Sequence, residues 1–395
     1  MNRTPLRLCL VATLTVAFTA PTRSEPPDVV APPKISAVDE AMQTMVHDNE
    51  IIGAGALVGH RGQLAHLSAV GLADTSPPRP MRIDTPFAIA SMTKPITATL
   101  MMMLVEDGKV DLDDPVSKFV PAFSDVRLDS GASPGSPITV WNCLTHTSGL
   151  TGTQAVTTTL TQTADEIATR KLAFSPGERW KYGPGLTVAA RVIEVASEMD
   201  FEDLLRQRLL DPLGMDATTF RPTADQRNRM AKIHTRAEAG SSGTALVRAV
   251  NHIVDYDTMV GPNPSGGLVS TASDLFRFYE MIRQGGQYDS KRYLKPETIE
   301  RMTTVETGDL KTGFTPGNGW GLGWCVVRQP QGVSEMLSPG TYGHGGAFGT
   351  QAWIDPHTET VYILMIQRTN MGNSDASEVR KAFQSAAAHH LIQQN

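Results

Sequence analysis

A serine and a lysine three residues apart, Ser91 and Lys94, are the pair in this sequence best suited to covalent chemistry. A serine hydroxyl is a poor nucleophile until a neighbour takes its proton, and a desolvated lysine with a lowered pKa can do so. Pro95 follows directly, and proline is comfortable only in the first turn of a helix. Residues 96–105 are almost entirely apolar, as in a buried helix. The pattern predicts a nucleophile at the N-terminal end of that helix, with Lys94 on the same face.

Several further motifs follow this pair along the chain. They are Leu144-Thr-His-Thr-Ser-Gly-Leu150, Pro176-Gly177 ahead of Tyr182, Pro212-Leu-Gly-Met215, Ser265-Gly-Gly-Leu-Val-Ser-Thr271 and Gly343-His-Gly-Gly346. In this order the sequence resembles the serine β-lactamase and penicillin-binding protein superfamily, in particular class C β-lactamases and family VIII carboxylesterases. The resemblance implies a β-lactamase-like α/β fold. Helices would flank an antiparallel sheet, a mostly helical lobe would be inserted, and the active site would lie between the lobes.

Tyr182 is the second site residue that the resemblance implies, at the place of the family's Tyr-x-Asn motif. Its phenol can act as a base only where nearby cations stabilise the anion, and Lys94 is suited to that role. Whether Lys94 or Tyr182 takes the Ser91 proton stays open from the sequence. The place of the asparagine is taken by Pro184, which has no group to hydrogen-bond an amide on the substrate. Substrates that carry such an amide are therefore less favoured.

His344-Gly345-Gly346 stands where the resemblance places a third motif, Lys-Thr-Gly. The resemblance implies that the backbone N–H groups of Ala347 and Ser91 form an oxyanion hole, whose donors must be fixed before charge develops. Histidine is only partly protonated near neutral pH, so His344 is a poor substitute for a permanent cation, and support of its loop is the alternative role. Without the lysine and threonine, the site lacks the groups that grip the carboxylate of β-lactams.

Three other segments look like functional motifs. Lys311-Thr312-Gly313 matches Lys-Thr-Gly literally and is the alternative third motif, although its glycine-rich surroundings predict a loop. Gly131-Ala-Ser133-Pro-Gly135 looks like the nucleophile elbow of α/β-hydrolases, but the residue after that serine must donate an N–H group and Pro134 has none. His146 is expected to order its loop rather than to react. Ser91 therefore remains the predicted nucleophile.

The chain divides by composition into several segments. Residues 1–24 are predicted to be a signal peptide, because arginines precede an apolar stretch too short to span a bilayer. Residues 25–35 form a Pro-rich linker. Residues 36–110 and 260–395 are predicted to build the α/β lobe, and residues 111–259 the mostly helical lobe. We expect an exported protein, periplasmic or secreted, with no stable membrane span after signal removal.

Hydrophobic patterns at both ends of the folded region predict that the two ends build one lobe. The predicted hairpin strands are residues 54–59 with 63–71 and residues 350–354 with 359–366. One helix is predicted to begin after Ser36 as its cap, and another to cover about residues 375–392.

Bulk composition excludes several function classes. The 395 residues carry a net charge of -6 and show no basic stripe, so we expect no nucleic acid partner. No histidine pair has H-E-x-x-H spacing and no glycine-rich phosphate loop occurs, so neither a metal nor a cofactor is predicted. Cys143 and Cys325 remain after signal removal, and we expect free thiols rather than a disulfide. The sequence leaves the oligomeric state open.

Ser91, Lys94 and Tyr182 together predict a serine hydrolase that acts on small carboxylic esters through an acyl-enzyme on Ser91. The missing amide-binding and carboxylate-binding groups favour an ester over an amide as the small-molecule substrate. A β-lactamase or D-alanyl-D-alanine carboxypeptidase is the alternative among enzymes. A penicillin-binding sensor or wall-binding module, acylated without turnover, is the alternative from a different class.

Overall fold

The structure is a computed structural model, and it describes residue 1 and residues 33–152, 157–237, 246–313, 315–371 and 373–393. The predicted signal peptide beyond residue 1, and residues 25–32 of the predicted linker, lie outside the described residues. Residues 33–395 form one compact unit.

Strands from both ends of the chain pair in one antiparallel sheet, in the order β10-β11-β12-β13-β14-β1-β2-β3. These strands are β1 Gly53–His60, β2 Gln63–Thr75, β3 Pro78–Pro80, β10 Asn318–Trp320, β11 Cys325–Val327, β12 Tyr342–Gly345, β13 Gln351–Asp355 and β14 Thr360–Met365. β1 pairs directly with β14, from Gly55 opposite Met365 to His60 opposite Thr360. The prediction that the two chain ends build one sheet is confirmed.

Both predicted hairpins are present. β1 and β2 are joined by Arg61 and Gly62, which have φ angles of 50° and 79°. Two successive positive φ angles are the geometry that suits a two-residue hairpin, and glycine takes the second at no steric cost. β13 and β14 form the other hairpin, in register from Gln351 opposite Leu364 to Asp355 opposite Thr360.

Helices cover both faces of the sheet or fill the segment between its two halves. They are α1 Ser36–His47, α2 Thr93–Glu106, α3 Val140–Thr145, α4 Leu160–Ala168, α5 Gly185–Ser197, α6 Phe201–Leu205, α7 Ala224–Arg229, α8 Ala272–Arg283, α9 Pro296–Thr303 and α10 Glu378–Gln393. Short strand pairs complete the fold, namely β4 Phe87–Ala88 with β7 Val269–Ser270, β5 His234–Arg236 with β6 Leu246–Arg248, and β8 Gln287–Tyr288 with β9 Lys291–Arg292.

The ends of two predicted helices differ from expectation. Ser36 is the first residue of α1 rather than its cap, and the N-cap is Ile35, which makes no side-chain capping bond. The backbone N–H of Ile35 donates instead to Nδ1 of the buried His66 at 2.8 Å. A contact with the sheet therefore fixes the start of α1. α10 begins at Glu378, because Ser374–Ala376 form a separate 3-10 turn.

α2 is buried on nearly every side, as its apolar sequence predicts. Every residue from Thr93 to Leu104 is buried, and the helix packs against α5. Full burial of one leucine or methionine side chain stabilises the fold by about 1.5–3 kcal/mol, so this helix is rigidly held. Ser91 lies in a 3-10 turn, Ala90–Met92, directly ahead of α2. Ser91 thus lies at the start of a buried helix, as the sequence predicts.

The segment between residues 111 and 259 is mostly helix and loop. It contributes α3 to α7, and β5 and β6 form its short strand pair. One hydrophobic core joins this segment to α2 and to the sheet face beneath α2 and α8. Within the part of the chain that the structure describes, none of the helices combines the length and apolarity needed to cross a bilayer.

Candidate active site

Lys94 lies beside Ser91 in a nearly closed environment. Its Nζ is 3.2 Å from Ser91 Oγ and donates a hydrogen bond to the carbonyl oxygen of Ser265 at 2.7 Å. The lysine is only 3% exposed. Burial lowers the pKa of Lys94 to about 7, while the charge of Asp375 acts in the opposite direction. An amine with that pKa is partly unprotonated at neutral pH and can accept a proton from serine.

The backbone presents Ser91 in a strained turn. Ala90, directly before it, has a φ of 46°, which is uncommon for a residue with a side chain. Such strain persists only where the surroundings hold it in place, and here β12 packs against the turn. Thr350 Oγ1 donates to the carbonyl oxygen of Ile89 at 3.2 Å. A Cβ on Gly346 would lie 2.5 Å from that same oxygen, so only glycine permits this approach.

Tyr182 completes a three-residue arrangement with Ser91 and Lys94. Its hydroxyl is hydrogen-bonded to the Ser91 side chain, and burial raises the pKa of the phenol well above its usual value. Lys94 Nζ lies 4.5 Å from the centroid of the tyrosine ring, within cation–π range. The phenol therefore stays protonated near neutral pH, and Tyr182 is placed to relay a proton rather than to hold a negative charge.

His344 lies on β12 and is buried, with a ring centroid 6.2 Å from that of Tyr182. Burial, and secondly the charge of Lys94, lower the pKa of His344 to about 3. Its Nδ1 is 2.6 Å from the Gly345 carbonyl oxygen, which assigns the proton to that nitrogen. His344 is therefore a neutral imidazole at physiological pH and supplies no cation to the site. Ala347 is exposed in the turn that follows β12.

The alternative motifs lie elsewhere in the fold. Lys311 is exposed in the loop ahead of the edge strand β10, and Thr312 Oγ1 donates to the Asn318 carbonyl oxygen at 2.9 Å. Ser133 lies in an exposed loop, where Arg127 donates to its hydroxyl. Thr312 and Ser133 thus each bond to a residue nearby in the chain. By contrast, β12, which carries His344, contacts the Ser91 turn.

The structure adds three residues to the site that sequence reasoning did not assign. Ser265 contributes the carbonyl that accepts from Lys94, and its hydroxyl lies 3.1 Å from Thr187 Oγ1. His146 is the C-cap of α3, with a φ of 58°, and its Nδ1 accepts from the Gly183 N–H at 3.3 Å. Asp375 is the third, because it acts electrostatically on both Lys94 and Tyr182, although burial raises the pKa of its own carboxyl group. Ser265 and His146 each lie in a motif of the sequence, Ser265–Thr271 and Leu144–Leu150, whereas no motif marks Asp375.

The His146 ring also lies against Tyr182, with ring centroids 4.4 Å apart. The predicted role for His146, ordering of a loop, agrees with these contacts. No cluster of three or more His, Cys, Asp or Glu side chains suited to a metal ion occurs in the described ranges.

Comparison with known proteins agrees with this geometry. The family model described as Beta-lactamase matches residues 38–387. The chain belongs to the β-lactamase family. With a serine at the start of a buried helix and a lysine beside it, this family member is a serine hydrolase.

Individual relatives share most of the length of this β-lactamase family member. Protein Rv1367c of Mycobacterium tuberculosis is 31% identical over 80% of this chain and 85% of its own. Esterase EstB of Burkholderia gladioli is 28% identical over 84% of this chain and 90% of its own. The solved structure of EstCE1, described as a hydrolase with promiscuous acyltransferase activity, superposes with a TM-score of 0.76. It is 23% identical and covers 89% of this chain and 97% of its own, so it supports the fold alone.

Proposed function

We propose that this protein is an esterase that cleaves small carboxylic esters through an acyl-enzyme on Ser91. The observation that carries the proposal is the 3.2 Å contact between Ser91 Oγ and a buried Lys94 whose pKa is about 7. The similarity to the esterase EstB over most of both chains supports the ester as the substrate class.

Lys94 is the general base in this mechanism. Its unprotonated amine accepts the Ser91 proton as Oγ attacks the carbonyl carbon of the ester. Tyr182 is disfavoured as the base because burial keeps its phenol protonated. The proton leaves Lys94, directly or through the Tyr182 hydroxyl, for the alcohol oxygen as the carbon–oxygen bond to the alcohol breaks. Water then repeats the sequence, with Lys94 taking the water proton and Ser91 Oγ regaining one as the acid departs.

The negative charge of each tetrahedral intermediate needs fixed donors. The backbone N–H groups of Ser91 and Ala347 are proposed for this task, since β12 and the Ser91 turn are held together by the contacts of Gly346 and Thr350. Donors held in place before reaction lower the barrier without reorganisation, and one such donor is commonly worth about 2.7–4 kcal/mol.

The groups around the nucleophile favour an ester over an amide-bearing or anionic substrate. Pro184 caps the start of α5 and has no side-chain group for an amide. His344 is neutral, so it offers no charge to a carboxylate. A β-lactam or a D-alanyl peptide carries both an amide and a carboxylate, and neither Pro184 nor His344 offers a partner for these groups.

Burst kinetics with p-nitrophenyl butyrate and with nitrocefin test nucleophile and substrate class together. We expect sustained ester turnover, feeble nitrocefin cleavage, and loss of both in Ser91→Ala. Ser133→Ala is the matched control, because its hydroxyl lies in an exposed loop, and it should retain ester turnover. Preferred cleavage of nitrocefin would contradict the esterase and favour the β-lactamase or peptidase. A stoichiometric burst without turnover would favour the penicillin-binding sensor.

We also propose that the protein is exported to the periplasm or the medium. Support comes from the sequence of residues 1–24, which has the charge and apolar pattern of a cleaved signal peptide. The mature N-terminus, determined by mass spectrometry of the exported protein, should lie near residue 21 or 25. Accumulation of the full-length chain in the cytoplasm would overturn the proposal.

A further inference from the structure

The turn that presents the Ser265 carbonyl is held at both ends by α2. Thr97 Oγ1 donates to the carbonyl oxygen of Pro264, directly before Ser265, at 2.7 Å. The backbone N–H of Leu268, three residues after Ser265, donates to Thr93 Oγ1 at 3.2 Å. Both threonines are fully buried and lie four residues apart, on one face of the helix. The Ser265 carbonyl is therefore fixed between two side chains of α2.

A second helix holds Ser265 through its side chain. Thr187 lies in the first turn of α5, is 1% exposed, and places its Oγ1 3.1 Å from Ser265 Oγ. The turn is also bonded internally, because the Ser265 N–H donates to Asn263 Oδ1 at 3.1 Å. Buried polar groups that lose their partners cost free energy, so these bonds keep the Ser265 carbonyl in one position.

This position controls how the amine of Lys94 is oriented. An unprotonated amine has two N–H bonds and one lone pair, and it rotates at the end of a flexible side chain. The hydrogen bond to the Ser265 carbonyl oxygen at 2.7 Å fixes one of the N–H bonds. The lone pair can then point at Ser91 Oγ, 3.2 Å away, and accept its proton. A displaced carbonyl would let the lone pair point elsewhere.

We infer that Thr97 and Thr187 are positioning residues for the transfer of the Ser91 proton to Lys94. They act through the turn at Ser265, which aims the amine at the nucleophile. The inference rests on the proposed role of Lys94 as the general base. It goes beyond that role, because it assigns a task to two buried hydroxyl groups outside the three reacting residues.

The test follows the reaction of Ser91 with diisopropyl fluorophosphate. Ser91 Oγ forms a bond to phosphorus, fluoride leaves, and the Ser91 proton passes to Lys94. This reaction needs the proton transfer but no ester turnover. Its second-order rate constant is measured between pH 5 and 9 from the mass gain of the intact protein.

Wild type is compared with Thr97→Val, Thr97→Ser, Thr187→Val and Thr99→Val. Thr99 provides the matched control, since it is also fully buried in α2, and its Oγ1 donates within the helix to the Pro95 carbonyl oxygen at 2.8 Å. Thermal unfolding of each variant shows that it is folded. A loss of helix stability alone would affect Thr97→Val and Thr99→Val alike, whereas a positioning role concerns only the first.

Thr97→Val removes the donor to the Pro264 carbonyl, and we expect the rate constant at high pH to fall about tenfold. The midpoint of its pH profile should also move down from about 7 by about half a unit, because a displaced carbonyl stabilises the ammonium form less. Thr187→Val should change both quantities in the same direction. Thr97→Ser keeps a hydroxyl and should return both toward wild type, and Thr99→Val should match wild type.

Four other titratable groups act on Lys94, and they are the same in every variant. The ring centroid of Tyr182 lies 4.5 Å from Nζ. His146 and His344 have lowered pKa values and stay neutral in this pH range. Asp375 acts electrostatically from ahead of α10. A difference in midpoint between variants therefore reports the turn at Ser265.

An unchanged rate and midpoint in a folded Thr97→Val would overturn the inference, and so would an equal change in Thr99→Val. If Thr97→Val does not fold, Thr187→Val decides by the same two quantities. The reagent is not an ester, so the result can be read even if ester turnover fails, in which case only the esterase proposal falls. A wild-type rate that stays constant below pH 7 would defeat both the base role of Lys94 and the inference.

Discussion

Lys94 and Tyr182 share one buried environment, yet burial acts on their pKa values in opposite directions. Desolvation disfavours the charged form of each group, so it lowers the pKa of the amine to about 7 and raises that of the phenol. The result is a neutral base and a neutral acid beside the same hydroxyl. The sequence leaves open which of the two accepts the Ser91 proton. These opposite pKa shifts favour Lys94.

The pH dependence of ester cleavage should report Lys94. Below its pKa of about 7 the residue is an ammonium ion and cannot accept the Ser91 proton. The value of kcat/KM for a neutral ester should therefore fall about tenfold per pH unit below pH 7 and level off above it. A pH profile with p-nitrophenyl butyrate between pH 5 and 9 measures this.

The neighbouring histidines do not account for a fall in kcat/KM below pH 7. Burial lowers the pKa of His344 to about 3 and that of His146 well below its usual value, so both are neutral throughout this range. Lys94→Arg is the informative variant, because arginine stays protonated, and it should reduce kcat by roughly 10²–10⁴. Activity that stays constant down to pH 5 would contradict the role assigned to Lys94.

The close approach of two helices controls where Tyr182 lies. Gly185, the first residue of α5, faces α3 so closely that a Cβ there would be 2.3 Å from the carbonyl oxygen of Cys143. Tyr182 lies three residues ahead of this contact, and His146 at the end of α3 contacts its ring. The packing of α3 against α5 and the position of the phenol are therefore linked.

Gly185→Ala should separate α3 from α5. We expect a loss of stability of about 1–3 kcal/mol from the forced shift, together with a several-fold lower kcat as Tyr182 moves away from Ser91. Thermal unfolding and ester kinetics on the same sample measure the two effects. Gly135→Ala is the matched control, since a Cβ there has nothing within 4 Å, and its unfolding and activity should match wild type. An unchanged melting temperature for Gly185→Ala would refute the tight contact.

Across the whole molecule, the two described cysteines belong to different hydrophobic cores. Cys143 packs in the core around α2 and α5, and Cys325 in the core between the sheet and α1 and α10. Both are free and buried, which confirms the expectation of thiols rather than a bridge. Burial raises the pKa of Cys143 to about 12 and also raises that of Cys325.

Neither thiol should react in the folded protein, because a buried, protonated thiol is a poor nucleophile. With residues 1–24 removed, a thiol reagent such as DTNB should label nothing under native conditions and both cysteines in denaturant. A reducing agent should leave the melting temperature unchanged. A native mass lower by two hydrogens, or a melting temperature that falls on reduction, would show a disulfide instead.

Local sequence patterns were sufficient to predict the elements whose structure depends on residues nearby in the chain. The hairpins at residues 54–71 and 350–366 follow from alternating apolar residues around a short turn. Buried helix α2 follows from its continuous apolar run behind Pro95. The predicted start of α1 was wrong by one residue, because the hydrogen bond from Ile35 to His66, 31 residues away, fixes where the helix begins.

The sequence by itself determined the family, the fold class and the pair of Ser91 and Lys94, because three-residue spacing on a helix and ordered motifs are local information. Only the tertiary structure decided the chemistry of the site. Burial sets the pKa of Lys94, keeps Tyr182 and His344 neutral, and brings Asp375 against Gly345 from 30 residues away along the chain. Desolvation and charge act through space, so a sequence pattern cannot report them until the chain is folded.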